Sequence, residues 1–194
     1  IRRKLAVPGA SEYDQKGLTY CATCDGPLFA DQDVVVIGGG NAGFESAAQL
    51  LAYCKSVTLL HKNADFKADK ITVDKVLANP KMTGILNNEI VEVKGDKFVT
   101  GLVYKDKISG EIKELPVTGI FVEIGFMPNT AFAKDILATN DFGAIKIDAR
   151  NQRATTDGIW AAGDCTDALY HQNNIAAGDA VKAVEDAYRW LHLK

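Results

Sequence analysis

Val34-Val35-Val36-Ile37 runs directly into Gly38-Gly39-Gly40-Asn41-Ala42-Gly43, a helical stretch from Asn41 to Tyr53 follows, and Val57-Thr58-Leu59-Leu60 closes the segment. Short continuous apolar runs on either side of an amphipathic helix describe two buried strands joined by a crossover, the βαβ unit. The glycine spacing Gly38-x-Gly40-x-x-Gly43 has a physical reading at each position. The first glycine permits the tight turn, the second lets backbone approach a pyrophosphate, and the third lets helix and strand pack closely. Amides at the helix N-terminus then face the anion. Glycine-rich turns also arise for packing alone, so it is the flanking strand, helix and strand that make this a dinucleotide site.

The end of the second strand reads His61-Lys62-Asn63-Ala64-Asp65-Phe66-Lys67, with no carboxylate at its tip. A carboxylate there accepts from a ribose 2′-hydroxyl, whereas cations meet a 2′-phosphate. Lys62 and Lys67 therefore favour NADPH, with NADH as the alternative if both lysines are solvated surface charges.

A dozen residues upstream of the glycines lies Tyr20-Cys21-Ala22-Thr23-Cys24-Asp25-Gly26-Pro27. Two intervening residues let the sulfurs join or separate with little backbone movement, as a reversible redox pair needs. A CxxC is also half of many zinc sites, but the remaining candidates, Cys54, Cys165, His61, His171 and His192, are scattered, and no metal site is expected. A structural disulfide is the other reading.

Along the rest of the chain, residues 1–16 carry Pro8 and Gly9 with mixed charge and read as a linker. Asp69 to Leu77 has an imperfect helical stripe that stops before Asn79-Pro80. Ile85-Leu86, Ile90 to Val93, Phe98 to Tyr104 and Ile112 to Val117 are strand-like and suggest an antiparallel meander inserted before a returning core strand, Gly119 to Gly125. Ile145 to Asp148 and Ile159 to Ala162 read as short strands, and Asn173 to Leu193 as a long amphipathic helix. The expected division is a linker over 1–16, a nucleotide-binding domain over 17–130, and a closing segment of a second such domain over 131–194.

A net charge of −3 with dispersed Lys and Arg gives no footprint for nucleic acid, and no apolar run approaches membrane-spanning length. Ile1-Arg2-Arg3-Lys4 leads to Pro8-Gly9 without an apolar segment, so a cytoplasmic address is expected, where a CxxC works in redox or metal chemistry more often than it staples a fold. A chain that starts at Ile is also expected to be a piece of something longer.

Taken together, Val7-Pro8-Gly9, Cys21-Ala22-Thr23-Cys24-Asp25-Gly26, the glycine fingerprint, Gly125-Phe126-Met127-Pro128-Asn129-Thr130 and Ala161-Ala162-Gly163-Asp164-Cys165 resemble, in order and spacing, the thioredoxin reductase family of flavoproteins and its relative, the flavoprotein subunit of alkyl hydroperoxide reductase. The resemblance implies an α/β fold: a Rossmann-like nicotinamide-binding domain with an inserted antiparallel meander, followed by the C-terminal portion of an FAD-binding domain. It implies that Cys21 attacks a protein disulfide, that Cys24 faces the flavin, and that Asp25 moves protons. A helix start near Cys24 would stabilise the thiolate. Nicotinamide contacts are implied at Gly38, Gly40, Asn41, Ala42, Gly43, His61, Lys62, Lys67 and Gly125. Flavin contacts are implied at Gly163, Asp164, Gln172, Asn173 and Ile175. Cys165 reads as a small buried residue beside the flavin, and Cys54 as a core residue on a helix face.

The implied activity is a flavin-dependent disulfide reductase that takes electrons from NADPH through FAD to Cys21-Cys24 and on to a thioredoxin-like protein. The family pattern His-Arg-Arg with a later Arg is here His61-Lys62-Asn63 with Lys67, while Lys107-Ile108-Ser109-Gly110-Glu111 looks more like the peroxide-linked relative, which generally uses NADH. The alternatives are thus an NADH-dependent reductase of a peroxiredoxin system and a non-catalytic redox sensor. The resemblance further implies a homodimer when full length, a rotation between domains about 9–17 and 125–129, and an inactive fragment, because the flavin's own glycine cradle would precede Ile1.

Overall fold

The computed structural model describes residues 2–192. The chain divides into two units, Arg2–Gly125 and a second from Phe126 onward.

In the first unit five strands form one parallel sheet: β1 (Leu18–Thr19), β2 (Asp33–Ile37), β3 (Ser56–Leu60), β4 (Met82–Ile85) and, after an excursion, β8 (Gly119–Val122). Their order is β1-β8-β2-β3-β4. Because successive side chains point to opposite faces, the Val34–Ile37 run feeds two cores at once. Val35 and Ile37 pack with Leu60, Ile120 and Val122 on one face, and Val34 and Val36 with Leu59 and Phe121 on the other. The second face is covered by α2 (Asn41–Leu50) through Phe44, Ala47 and Leu50, and by Val76 of α3 (Lys70–Leu77), which Asp69 caps by accepting the Thr72 amide at 2.9 Å.

The first face is covered by the expected meander: β5 (Asn88–Gly95), β6 (Val99–Asp106) and β7 (Ile112–Leu115), antiparallel in that order. Val93, Val99, Leu102 and Tyr104 supply its buried side. The meander therefore does more than decorate the sheet.

Several elements differ from the sequence reading. Ile85 ends a parallel edge strand, not a meander strand, because Val57 to Leu60 pair with Met82 to Ile85. Helix α2 stops at Leu50; Ala52 and Tyr53 donate to Gln49 and Leu50, three residues back, which tightens the last turn. Cys54 is buried after that turn and not on a helix face. The segment read as a linker carries Ala10 and Tyr13 into the core.

In the second unit a two-residue ladder, β9 (Ile147–Asp148) with β10 (Arg153–Ala154), replaces the two longer strands expected; Ile159 to Ala162 contributes one isolated bridge, Arg153 to Trp160. Helix α4 (Asn173–His192) packs its buried Asp179 against Gln152, whose amide donates at 3.1 Å. Leu193, expected to end that helix, lies outside the described residues.

Candidate functional site: a glycine cradle and a cystine turn

At the C-terminal edge of the parallel sheet lies a cleft of about 720 Å³, lined among others by Ile37, Gly38, Gly39, Gly40, Asn41, Ala42, His61, Lys62 and Gly125. This is the crevice in which an open parallel sheet takes a nucleotide. Three glycines build it, each differently. A Cβ on Gly43 would lie 1.9 Å from the Gly38 carbonyl oxygen, so helix and strand meet there only without a side chain. Gly38 has φ +124° and a Cβ would collide with the Glu123 carbonyl. Gly40 is the opposite case: nothing lies within 4 Å of where its Cβ would be, so the space is open and only a ligand would use it.

His61 closes the floor. Its Nδ1 accepts the Gly39 amide at 3.1 Å, which places the ring proton on Nε2. Burial, helped by the neighbouring Lys62 and Lys67, pushes the imidazole below its usual range, so the ring is neutral at pH 7. Nε2 is sealed from solvent, and the Asp65 backbone beside it opposes the shift. The cradle thus suits a nicotinamide dinucleotide.

The cleft also holds residues that the sequence did not single out: Arg3, Asn88, Glu89, Lys107 and Glu123. Glu123 accepts the Ser46 hydroxyl at 2.8 Å and has Arg2 3.9 Å away; burial nonetheless holds its carboxyl above the usual range. Lys67 is placed otherwise than expected. Its backbone amide donates to the Gly39 carbonyl at 2.7 Å, while its side chain does not line the cleft.

Cys21 and Cys24 form a disulfide at a Cα separation of 5.3 Å. The helix here begins earlier than expected: α1 (Ala22–Asp25) has Cys21 as its N-cap, and Sγ of Cys21 accepts the Cys24 amide at 3.1 Å. Cys21 is half-buried and Cys24 exposed. Asp25 accepts from Thr19 Oγ1, which itself accepts the Cys21 amide at 3.4 Å. Thr23 donates to Gln49 at 2.8 Å, docking the cystine turn on α2, the helix that starts at the cradle.

In the second unit a Cβ on Gly163 would lie 3.1 Å from the Ala176 Cβ, so the Gly163-Asp164 turn sits against the first turns of α4. Asp164, Gln172 and Asn173 are exposed there and Ile175 is half-buried. Cys165 is partly buried, packed against Ala133, Leu137 and Ile145. Among the described residues no three His, Cys, Asp or Glu side chains are grouped to hold a metal ion, and no helix is long and apolar enough to cross a membrane.

A model of the pyridine nucleotide-disulphide oxidoreductase family matches residues 2–187. The chain is 42% identical over 189 residues to a thioredoxin reductase of Mycolicibacterium smegmatis, covering 97% of this chain and 61% of that protein. It is 44% identical over 190 residues to an alkyl hydroperoxide reductase subunit of Escherichia coli strain K12, covering 97% of this chain and 36% of that protein. The crystal structure of Lactococcus lactis thioredoxin reductase superposes with a TM-score of 0.90 at 35% identity, covering 98% of this chain and 63% of that one. The chain therefore spans about a third to three fifths of the length of these proteins.

Proposed function

The chain belongs to the pyridine nucleotide-disulphide oxidoreductase family, and from that premise we propose that it carries the nucleotide site and the redox disulfide of a flavin-dependent reductase acting on a thioredoxin-like protein, with NADPH as the electron source. The observation that carries this reading is the joining of an open glycine cradle and a CxxC disulfide by one helix, α2, within one unit.

When bound, the nicotinamide supplies a hydride and the flavin hands the two electrons to the Cys21–Cys24 bond. Gly38, Gly40, Asn41, Ala42 and Gly43 would hold the pyrophosphate against the start of α2, and Gly125 lines the same cleft. Gly163, Asp164, Gln172, Asn173 and Ile175 would contribute flavin contacts from the second unit.

Once reduced, the Cys21 thiolate attacks one sulfur of the partner's disulfide; that bond breaks, a partner thiolate leaves, and a mixed disulfide forms. Cys24 then attacks Cys21, expelling the second partner thiolate and restoring the internal bond. The Cys24 amide, aimed at Cys21 Sγ, stabilises charge on the attacking sulfur. Asp25, which accepts from Thr19 Oγ1, would take and return the thiol proton.

A second reading, NADH-dependent reduction of a peroxiredoxin system, draws on the similarity to the alkyl hydroperoxide reductase protein and on Glu89, a carboxylate at the cleft. Turnover of a thioredoxin disulfide by the full-length, flavin-loaded protein with NADPH, compared with NADH, tests the two. Efficient turnover with NADPH is expected; no reduction of any protein disulfide with either nucleotide would leave only the redox-sensor reading.

A further inference from the structure

Of the cations expected around a 2′-phosphate, Lys62 lines the cleft and Lys67 does not. A different lysine takes the second place. Lys107 stands in the turn between β6 and β7, 45 residues from Lys62, and lines the same cleft. Its backbone amide donates to the Asn87 carbonyl at 2.7 Å, Asn87 in turn donates to the Asn63 carbonyl at 3.0 Å, and Lys107 Nζ donates to the Lys62 carbonyl at 2.9 Å. The Asn88 side chain adds a bond to the His61 carbonyl at 3.0 Å. The meander is thus stitched to the loop after β3 at successive residues, and Lys107 is delivered to the cleft that Lys62 already lines.

We propose that Lys107 is a specificity-determining residue of the nucleotide site: with Lys62 it forms the pocket for the 2′-phosphate of NADPH, in the role that Lys67 was expected to fill. The inference rests on the NADPH reading above. An ammonium that spends one N–H on the Lys62 carbonyl keeps two for phosphate oxygens. A bare 2′-hydroxyl draws little from two cations, so these groups discriminate between the nucleotides more than they raise affinity for both. Glu89, which lines the cleft as Glu123 does, would work the other way, as an acceptor for a 2′-hydroxyl.

The test is calorimetric titration of the protein with 2′,5′-ADP and with 5′-AMP, a direct binding readout. The unsubstituted protein is expected to prefer 2′,5′-ADP. Lys107→Gln should cut that preference roughly tenfold, the size of one charge-assisted contact, with 5′-AMP binding unchanged. Lys107→Arg should retain most of it, and Lys67→Gln should leave the ratio as it was. Undiminished preference in Lys107→Gln, or a loss in Lys67→Gln equal to that in Lys107→Gln, overturns the role of Lys107 while leaving NADPH in place. An unsubstituted protein that binds 5′-AMP as tightly as 2′,5′-ADP overturns the NADPH reading itself.

Discussion

Thr19 Oγ1 donates to the carboxylate of Asp25 across the base of the cystine turn, and the same oxygen accepts the Cys21 amide. Thr19 is 4% exposed, so this one hydroxyl satisfies two partners away from bulk water. Thr19→Val keeps the side-chain shape and removes both bonds. The expected loss is about 1–3 kcal/mol, the cost of leaving a half-buried carboxylate and an amide without their partner. Urea unfolding of the oxidised protein measures it, and Thr19→Ser should recover most of the difference.

Gly40 and Gly43 separate cradle from scaffold. Gly43→Ala drives a methyl into the Gly38 carbonyl and is expected to destabilise by about 1–3 kcal/mol or to prevent folding. Gly40→Ala meets nothing and has an ordinary φ of −92°, so the melting temperature should hardly move. Its methyl instead occupies the space a pyrophosphate needs, and NADP+ affinity in a fluorescence titration should fall at least roughly tenfold. Equal binding by Gly40→Ala would place the pyrophosphate elsewhere.

What could be read from sequence was whatever had a local cause. Val34 to Ile37 announced a strand because burial on both faces leaves no polar position, and Gly43 announced the turn because a side chain there would strike the Gly38 carbonyl five residues back. Thr19 gave no such signal. It belongs to a two-residue strand, too short for any period, that exists because Leu18 and Thr19 pair with Ile120 and Phe121 a hundred residues on. Lys107 was equally hidden, since its place depends on how the meander folds back on the loop after β3. Lys67 was assigned by spacing, and spacing carries no information on which way a loop turns a side chain.

Cys54 supplies a pH dependence with a definite sign. Burial pushes its thiol from an ordinary 9.0 up to about 11, against a smaller opposing pull from Lys81. Below pH 9 folded and unfolded chains both keep the proton. Between pH 9 and about 11 the unfolded chain releases it while the folded chain holds it, so the unfolded state binds fewer protons and stability falls as pH rises. Denaturant unfolding of the oxidised protein at a series of alkaline pH values should show that decline, and Cys54→Ala should flatten it. At pH 8 the native protein should resist alkylation at Cys54 until unfolded.

The two sulfurs of the redox pair are unequal by construction. Cys21 caps α1 and receives the Cys24 amide, whereas Cys24 is the exposed member. A thiolate at Cys21 would keep that N–H after the disulfide opens, and on the proposed reading Cys21 is the sulfur that attacks and Cys24 the one that resolves. Cys24→Ser should therefore trap a stable mixed disulfide through Cys21 when the reduced protein meets a thioredoxin-type disulfide, visible as an adduct in intact mass spectrometry. Cys21→Ser leaves a thiol without its cap and should trap several-fold less under the same conditions. Equal adduct yields from the two variants would mean that the Cys24 amide does not decide which sulfur attacks.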